Sequence, residues 1–123
     1  MPSPVVTLEE FFRGADDSRT LFEHVLAAVE SLGPVMVRVT KSQVAFRRRI
    51  AFAWVWMPRV ALRGRGAPLV LTVGLRRRDA SGRWKEVVEP YPGRFTHHLE
   101  LWTPDQVDEQ VIGWLSEAWD AAG

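Results

Sequence analysis

The sequence predicts an α+β domain: a largely antiparallel sheet of about five strands, with N-terminal helices and a C-terminal helix packed on it. Helical periodicity opens the chain, a two-residue period fills its middle, and helical periodicity closes it. No helix-period segment separates one strand run from the next, as the βαβ units of a parallel sheet would require. The 123 residues are 46% hydrophobic and 25% charged, the make-up of one domain with one core. No repeat, low-complexity tract or Ser/Gly linker divides them, so residues 1–123 read as a single domain.

Each element has its own signal. Thr7-Leu8-Glu9-Glu10 is a capping box, with Thr7 as N-cap and Glu10 reaching back. It opens a short helix bearing Leu8, Phe11 and Phe12 that Gly14 ends. Asp17-Ser18 starts a second helix, with Leu21, Phe22, Val25, Ala28, Val29 and Leu32 at helical spacing. Gly33-Pro34 stops it, a residue tolerant of the left-handed region followed by one that cannot continue a helix. Val35, Val37 and Val39 then alternate with Met36, Arg38 and Thr40, which predicts a strand with one buried face. Val44–Phe46 begins a second extended segment. Ile50–Met57 is apolar on both parities and reads as a strand covered on both faces. Arg63-Gly64-Arg65-Gly66-Ala67-Pro68 has loop composition. Leu69–Leu75 is a further strand, and Asp79-Ala80-Ser81-Gly82 reads as the loop of a hairpin into Trp84–Val88. Pro90, Pro92 and Gly93 break that strand, and Arg94–Trp102 supplies one more. Thr103-Pro104-Asp105-Gln106 places an N-cap, a proline at the first helical position and a glutamine three residues after the cap. Val107, Val111, Trp114, Leu115 and Ala118 form the apolar stripe of the helix that follows.

Net charge is +1, unevenly spread. Residues 1–33 hold six acids and two arginines, net −4; residues 34–99 hold fourteen Lys/Arg and three acids, net +11; residues 100–123 hold six acids and no Lys or Arg, net −6. The expected outcome is that acidic helices cover one side of a basic sheet and partly neutralise it; the sharper alternative is a basic surface that accepts an anion. The near-zero total argues against strong polyanion affinity, and no helix-turn-helix, zinc-finger or RNA-binding signature points to nucleic acid.

Several chemistries are excluded or weakly signalled. The absence of cysteine rules out disulfides, thiolate zinc sites, iron–sulfur clusters and a cysteine nucleophile. No serine lies in a Gly-x-Ser-x-Gly elbow, and Gly64-x-Gly66 lacks the remainder of a phosphate loop. No metal and no cofactor is expected: His97 and His98 point to opposite faces of a strand, and His98 with Glu100 makes only two ligands. The longest apolar run is far short of the ~20 residues that span a bilayer, and no secretory signal opens the chain, so a cytoplasmic location is expected.

The candidate ligand-binding residues are Lys41, Arg47, Trp54, Trp56 and His97. Lys41 continues the parity of Val35, Val37 and Val39, so it is expected to point into a pocket. Arg47 belongs to one of two triple-arginine runs, Arg47–Arg49 and Arg76–Arg78, suited to holding a carboxylate or phosphate. Trp54 and Trp56 share one face of their strand and offer an apolar wall. His97 shares parity with Phe95, Leu99 and Leu101 and faces the core or a cleft.

Gly33-Pro34, Val39-Thr40-Lys41, Val44-Ala45-Phe46-Arg47, Phe52-Ala53, His97-His98-Leu99-Glu100-Leu101 and Trp114-Leu115-Ser116-Glu117-Ala118-Trp119 together resemble a bacterial domain of unknown function, a family sometimes labelled a predicted transport protein. The resemblance covers most of residues 18–121, with Trp119 where tyrosine is expected. It implies an α+β domain and brings no reaction with it. The functional expectation is a small non-catalytic binding module with a basic pocket for a small anion or an acidic partner segment. The alternatives are an enzyme using His97 as acid/base beside Lys41, and a ligand-free interaction domain that forms homodimers through its tryptophan-bearing surface.

Overall fold

The computed structural model describes residues 6–61 and 64–123. Four α-helices, α1 (Leu8–Phe11), α2 (Asp16–Glu30), α3 (Pro58–Ala61) and α4 (Glu109–Ala121), accompany six strands. The strands are β1 (Met36–Val39), β2 (Val44–Arg47), β3 (Ala51–Trp56), β4 (Leu69–Leu75), β5 (Glu86–Tyr91) and β6 (Arg94–Leu101). They form one antiparallel sheet in the order β1-β2-β3-β4-β6-β5, so the α+β class holds with six strands rather than five. Helix α4 packs on β3 and β4, and α2 packs against α4 and β4, which places both long helices on one face. Leu21, Phe22, Val25 and Val29 of α2 and Val111, Trp114, Leu115 and Ala118 of α4 close the core over Val44, Phe46, Ala53, Val55, Leu71, Val73 and Leu99. Among the described residues, no helix is long and apolar enough to cross a membrane.

The local signals act as expected at several ends. The Thr7 hydroxyl accepts from Glu10 N at 3.0 Å while Glu10 Oε1 accepts from Thr7 N at 3.2 Å. Gly14 ends the first turn at φ +75°. Gly33 has φ +145°, and a Cβ there would stand 2.6 Å from the Trp119 ring, so only glycine fits this approach of α4 to the end of α2.

Elsewhere the structure differs from the pattern. The β1 strand is mostly exposed, with Val37 at 39%, because it is the sheet edge and the helices lie over the central strands. The β3 strand is covered by helices on one face only; Trp54 and Trp56 lie half-buried on the other. The segment Asp79–Gly82 does not close a hairpin. Strand β6 inserts between β4 and β5, so the chain from Leu75 to Glu86 crosses the end of β6, and the hairpin is instead β5–β6 through Pro92-Gly93. Pro90 lies inside β5, where the edge position and a register shift between Val88 and Tyr91 spare its missing N–H. Thr103–Gln106 forms a separate 3-10 turn, Pro104–Gln106, with Gln106 Oε1 accepting from Thr103 N at 3.2 Å. The α4 helix starts later, capped by Asp108, whose carboxylate accepts from Val111 N at 3.1 Å. In the glycine-rich loop, Gly64 and Gly66 both take positive φ, while Arg63 lies outside the described residues.

Candidate functional site

Sheet register decides which candidate side chains can meet. His97 pairs with Val73 and faces the helices, where it is fully buried. Its Nε2 accepts from Asp79 N at 3.0 Å, and its Nδ1 lies 3.3 Å from the Val73 carbonyl, which only a protonated Nδ1 can satisfy. The ring is therefore neutral, with both nitrogens committed to main chain. Burial pushes its pKa below the ordinary histidine value, against the opposing effect of the Val73 carbonyl. Trp84 packs on it at 4.8 Å and on Trp114 at 4.1 Å. Burial alone would raise the Asp79 carboxyl, but bonds from Trp84 Nε1, Ser81 N and Arg77 overcome it and hold the pKa at about 2. His97 thus fixes the crossing segment to β6 and is closed off from any ligand, which removes it from the candidate site.

Five arginines of the basic middle reach the helices and their flanks. Arg77 grips Glu117 with two bonds of 2.9 Å, Arg83 meets Asp108 at 3.0 Å, and Arg59 meets Asp17 at 2.8 Å. Arg48 donates to the Trp119 carbonyl at 2.9 Å and stacks 3.6 Å from the Trp119 ring; Arg76 donates to the Ala121 carbonyl at 3.1 Å. Both cations therefore sit at the negative C-terminal end of α4, which has no basic residue in its own last turn. These contacts match the expectation that acidic helices neutralise a basic sheet. Each exposed pair contributes no more than about 1 kcal/mol, so they orient the layers more than they hold them.

The face away from the long helices carries a different set. Arg38, Ala45, Trp54, Thr72, His98 and Glu86 are successive register partners and form one row across all six strands. Trp54 reaches over β4 where Gly74 leaves room: a Cβ there would stand 3.6 Å from the indole. Trp54, Trp56, Thr72, Thr96, His98 and Gln43 line a groove of about 210 Å³. Thr72 Oγ1 lies 2.7 Å from His98 Nδ1. The Thr72 hydroxyl and His98 Nδ1 share one hydrogen bond, with the direction set by the imidazole tautomer. Burial lowers the His98 pKa, with Glu86 opposing, so this imidazole too is neutral near pH 7.

Among the described residues, every fully buried side-chain nitrogen and oxygen has a partner. Trp84 Nε1 donates to Asp79 and Trp119 Nε1 to the Pro34 carbonyl. The Trp54 and Trp56 indole nitrogens make no such bond among the described residues and are not fully buried. The groove is walled mainly by the two indole rings, with Gln43, Thr72, Thr96 and His98 offering both donors and acceptors to a ligand. Among the described residues no group of His, Asp and Glu could hold a metal ion.

Lys41 is not on the buried parity. Strand β1 ends at Val39, and Thr40 turns the chain, with Thr40 N donating to the Gln43 carbonyl at 2.9 Å. Lys41 is therefore exposed in the β1–β2 turn, three strands away from His97, roughly 14 Å at the usual ~4.8 Å spacing of strands. It does meet Trp56: Phe11, Lys41, Ser42, Trp56, Met57 and Val60 line a second hollow of about 370 Å³. Arg47, half-buried at the far end of β2 beside a register shift, lines neither hollow. Of the five sequence candidates, the structure joins Trp54, Trp56 and Lys41 and separates Arg47 and His97. The groove residues the sequence reading missed are Gln43, Thr72, Thr96 and His98. Only His98 carried a signal, its shared parity with Glu100 opposite to that of His97.

A family model described as "Domain of unknown function (DUF5655)" matches residues 8–122. No curated protein and no solved structure matches the chain.

Proposed function

The chain belongs to the DUF5655 family of domains of unknown function, and from that premise we propose that it is a small non-catalytic binding module, in a bacterial cytoplasm, whose open sheet face takes a small anion or an acidic partner segment. The observation that carries this reading is the groove on the open sheet face, where the Trp54 and Trp56 rings stand beside the polar side chains of Gln43, Thr72, Thr96 and His98. Lys41, with no carboxylate partner among the described residues, supplies a cation at the Trp56 end. Chemistry at His97 beside Lys41 finds no support, because His97 is sealed under the helices with both nitrogens engaged.

The test is a thermal-denaturation screen of phosphate, sulfate, nucleotides and small carboxylates at fixed ionic strength, on wild type and on Lys41→Met. A ligand that binds only the folded state at a hundredfold excess over its Kd stabilises it by about 2.7 kcal/mol. At least one anion is expected to stabilise wild type, and to do so less in Lys41→Met. Equal responses in the two proteins would remove Lys41 from the site, and no response to any member of the panel would contradict binding of the small anions it contains.

A further inference from the structure

The two hollows meet at Trp56, and their chemistry differs. The sheet groove sets polar Gln43, Thr72, Thr96 and His98 beside the two indoles. The second hollow is walled by Phe11, Trp56, Met57 and Val60, with Lys41 and Ser42 as its polar residues. Its volume of about 370 Å³ falls at the lower end of the range of roughly 300–1,000 Å³ common for small-molecule sites. An inorganic anion would leave that apolar wall in contact with water. The Lys41 ammonium at its rim attracts an anionic head more than a neutral one. We infer that the ligand is a free amphiphilic organic anion, with its apolar body against Phe11, Trp56, Met57 and Val60 and its carboxylate or phosphate head toward Lys41 and Ser42.

This inference rests on the anion-binding reading, narrows it to one ligand class and places the ligand in the hollow that shares Trp56 with the sheet groove. Two features of the wall make it testable without disturbing the fold. Val60 is 75% exposed on the short helix α3, so a polar side chain there alters the hollow and leaves the core intact. Lys41 is an exposed turn residue and can be replaced by an isosteric apolar one. Phe11, by contrast, packs edge-on against Phe12 at 4.8 Å and is a poor choice for mutation.

The experiment is isothermal titration of straight-chain alkanoates from acetate to decanoate, with decanol as the neutral control, against wild type, Lys41→Met and Val60→Asp. Circular dichroism confirms that the variants fold. In wild type, affinity is expected to rise roughly threefold to fourfold per methylene until the hollow is filled. Lys41→Met is expected to weaken decanoate about tenfold and to leave decanol unchanged. Val60→Asp is expected to flatten the chain-length dependence. Acetate and decanoate binding alike would overturn the amphiphile while leaving an anion site standing. Silence toward the alkanoates together with silence toward the inorganic panel would overturn both readings. Decanoate binding that is equal in all three proteins would show adsorption elsewhere and overturn the assignment to this hollow. A parallel arm adds phosphatidylglycerol vesicles: protein retained on vesicles while free decanoate fails to bind would identify a membrane surface as the source and overturn the free ligand.

Discussion

Residues 97 and 98 are both histidine, and the alternation of a strand gives them opposite environments. His97 is neutral in the fold, with its pKa lowered chiefly by burial. A base whose folded pKa lies below its unfolded value of ~6.5 contributes stability that is complete above that value. The contribution is lost as pH falls through ~6.5 toward the folded value, because the unfolded chain takes up a proton that the core refuses. His98 shifts in the same direction for the same cause. Urea midpoints are therefore expected to fall between pH 7.5 and pH 5.5, with a limiting slope of about 1.4 kcal/mol per pH unit for each histidine. His97→Gln is expected to remove part of that acid sensitivity and His98→Gln another part. A pH-independent midpoint in wild type, or a sensitivity untouched by either substitution, would contradict these environments. The same alternation was legible in the sequence: His97 shares the apolar parity of Leu99 and Leu101. The tautomer was not legible, since it depends on Asp79 N, which the chain brings to His97 from eighteen residues away.

At the scale of elements, Gly33 and Trp119 are the sharpest point of contact between α2 and α4. Gly33→Ala would place a methyl at φ +145° and against the indole at 2.6 Å. The expected cost is about 1–3 kcal/mol, read as a lowered midpoint in chemical denaturation; a change under about 0.5 kcal/mol, the size of an ordinary surface substitution, would contradict this packing. The helices and most strands followed from caps, periods and breakers, because those signals are local. The strand order did not. Asp79-Ala80-Ser81-Gly82 has the composition of a hairpin loop, yet the bonds that Asp79 accepts from Trp84, Ser81 and Arg77 serve to hold a crossing segment over the end of β6. Lys41 shows the same limit. A two-residue period says which face a side chain takes only while the strand lasts, and the turn at Thr40 ends it one residue too soon.

For the whole molecule, the charge map is a statement about layers. Arg48, Arg76, Arg77 and Arg83, all from the basic middle, are drawn toward α4 and its flanks, so part of the +11 segment is spent on the helix side. What is left uncovered is the opposite face, with Trp54 and Trp56 in its middle. Those two tryptophans were legible as a pair from their parity, but Thr72 and His98 join them only through the register of β3, β4 and β6. The most direct test of a ligand site on this face is the indole N–H spectrum of the protein labelled with nitrogen-15, assigned by single Trp→Phe variants and titrated with decanoate and phosphate. The Trp54 and Trp56 resonances are expected to shift with phosphate and the Trp56 resonance with decanoate, while those of Trp84 and Trp119, bonded to Asp79 and to the Pro34 carbonyl, stay in place. Unmoved Trp54 and Trp56 resonances at saturating ligand, or equal movement of all the indoles, would contradict a binding site on the open face of the sheet.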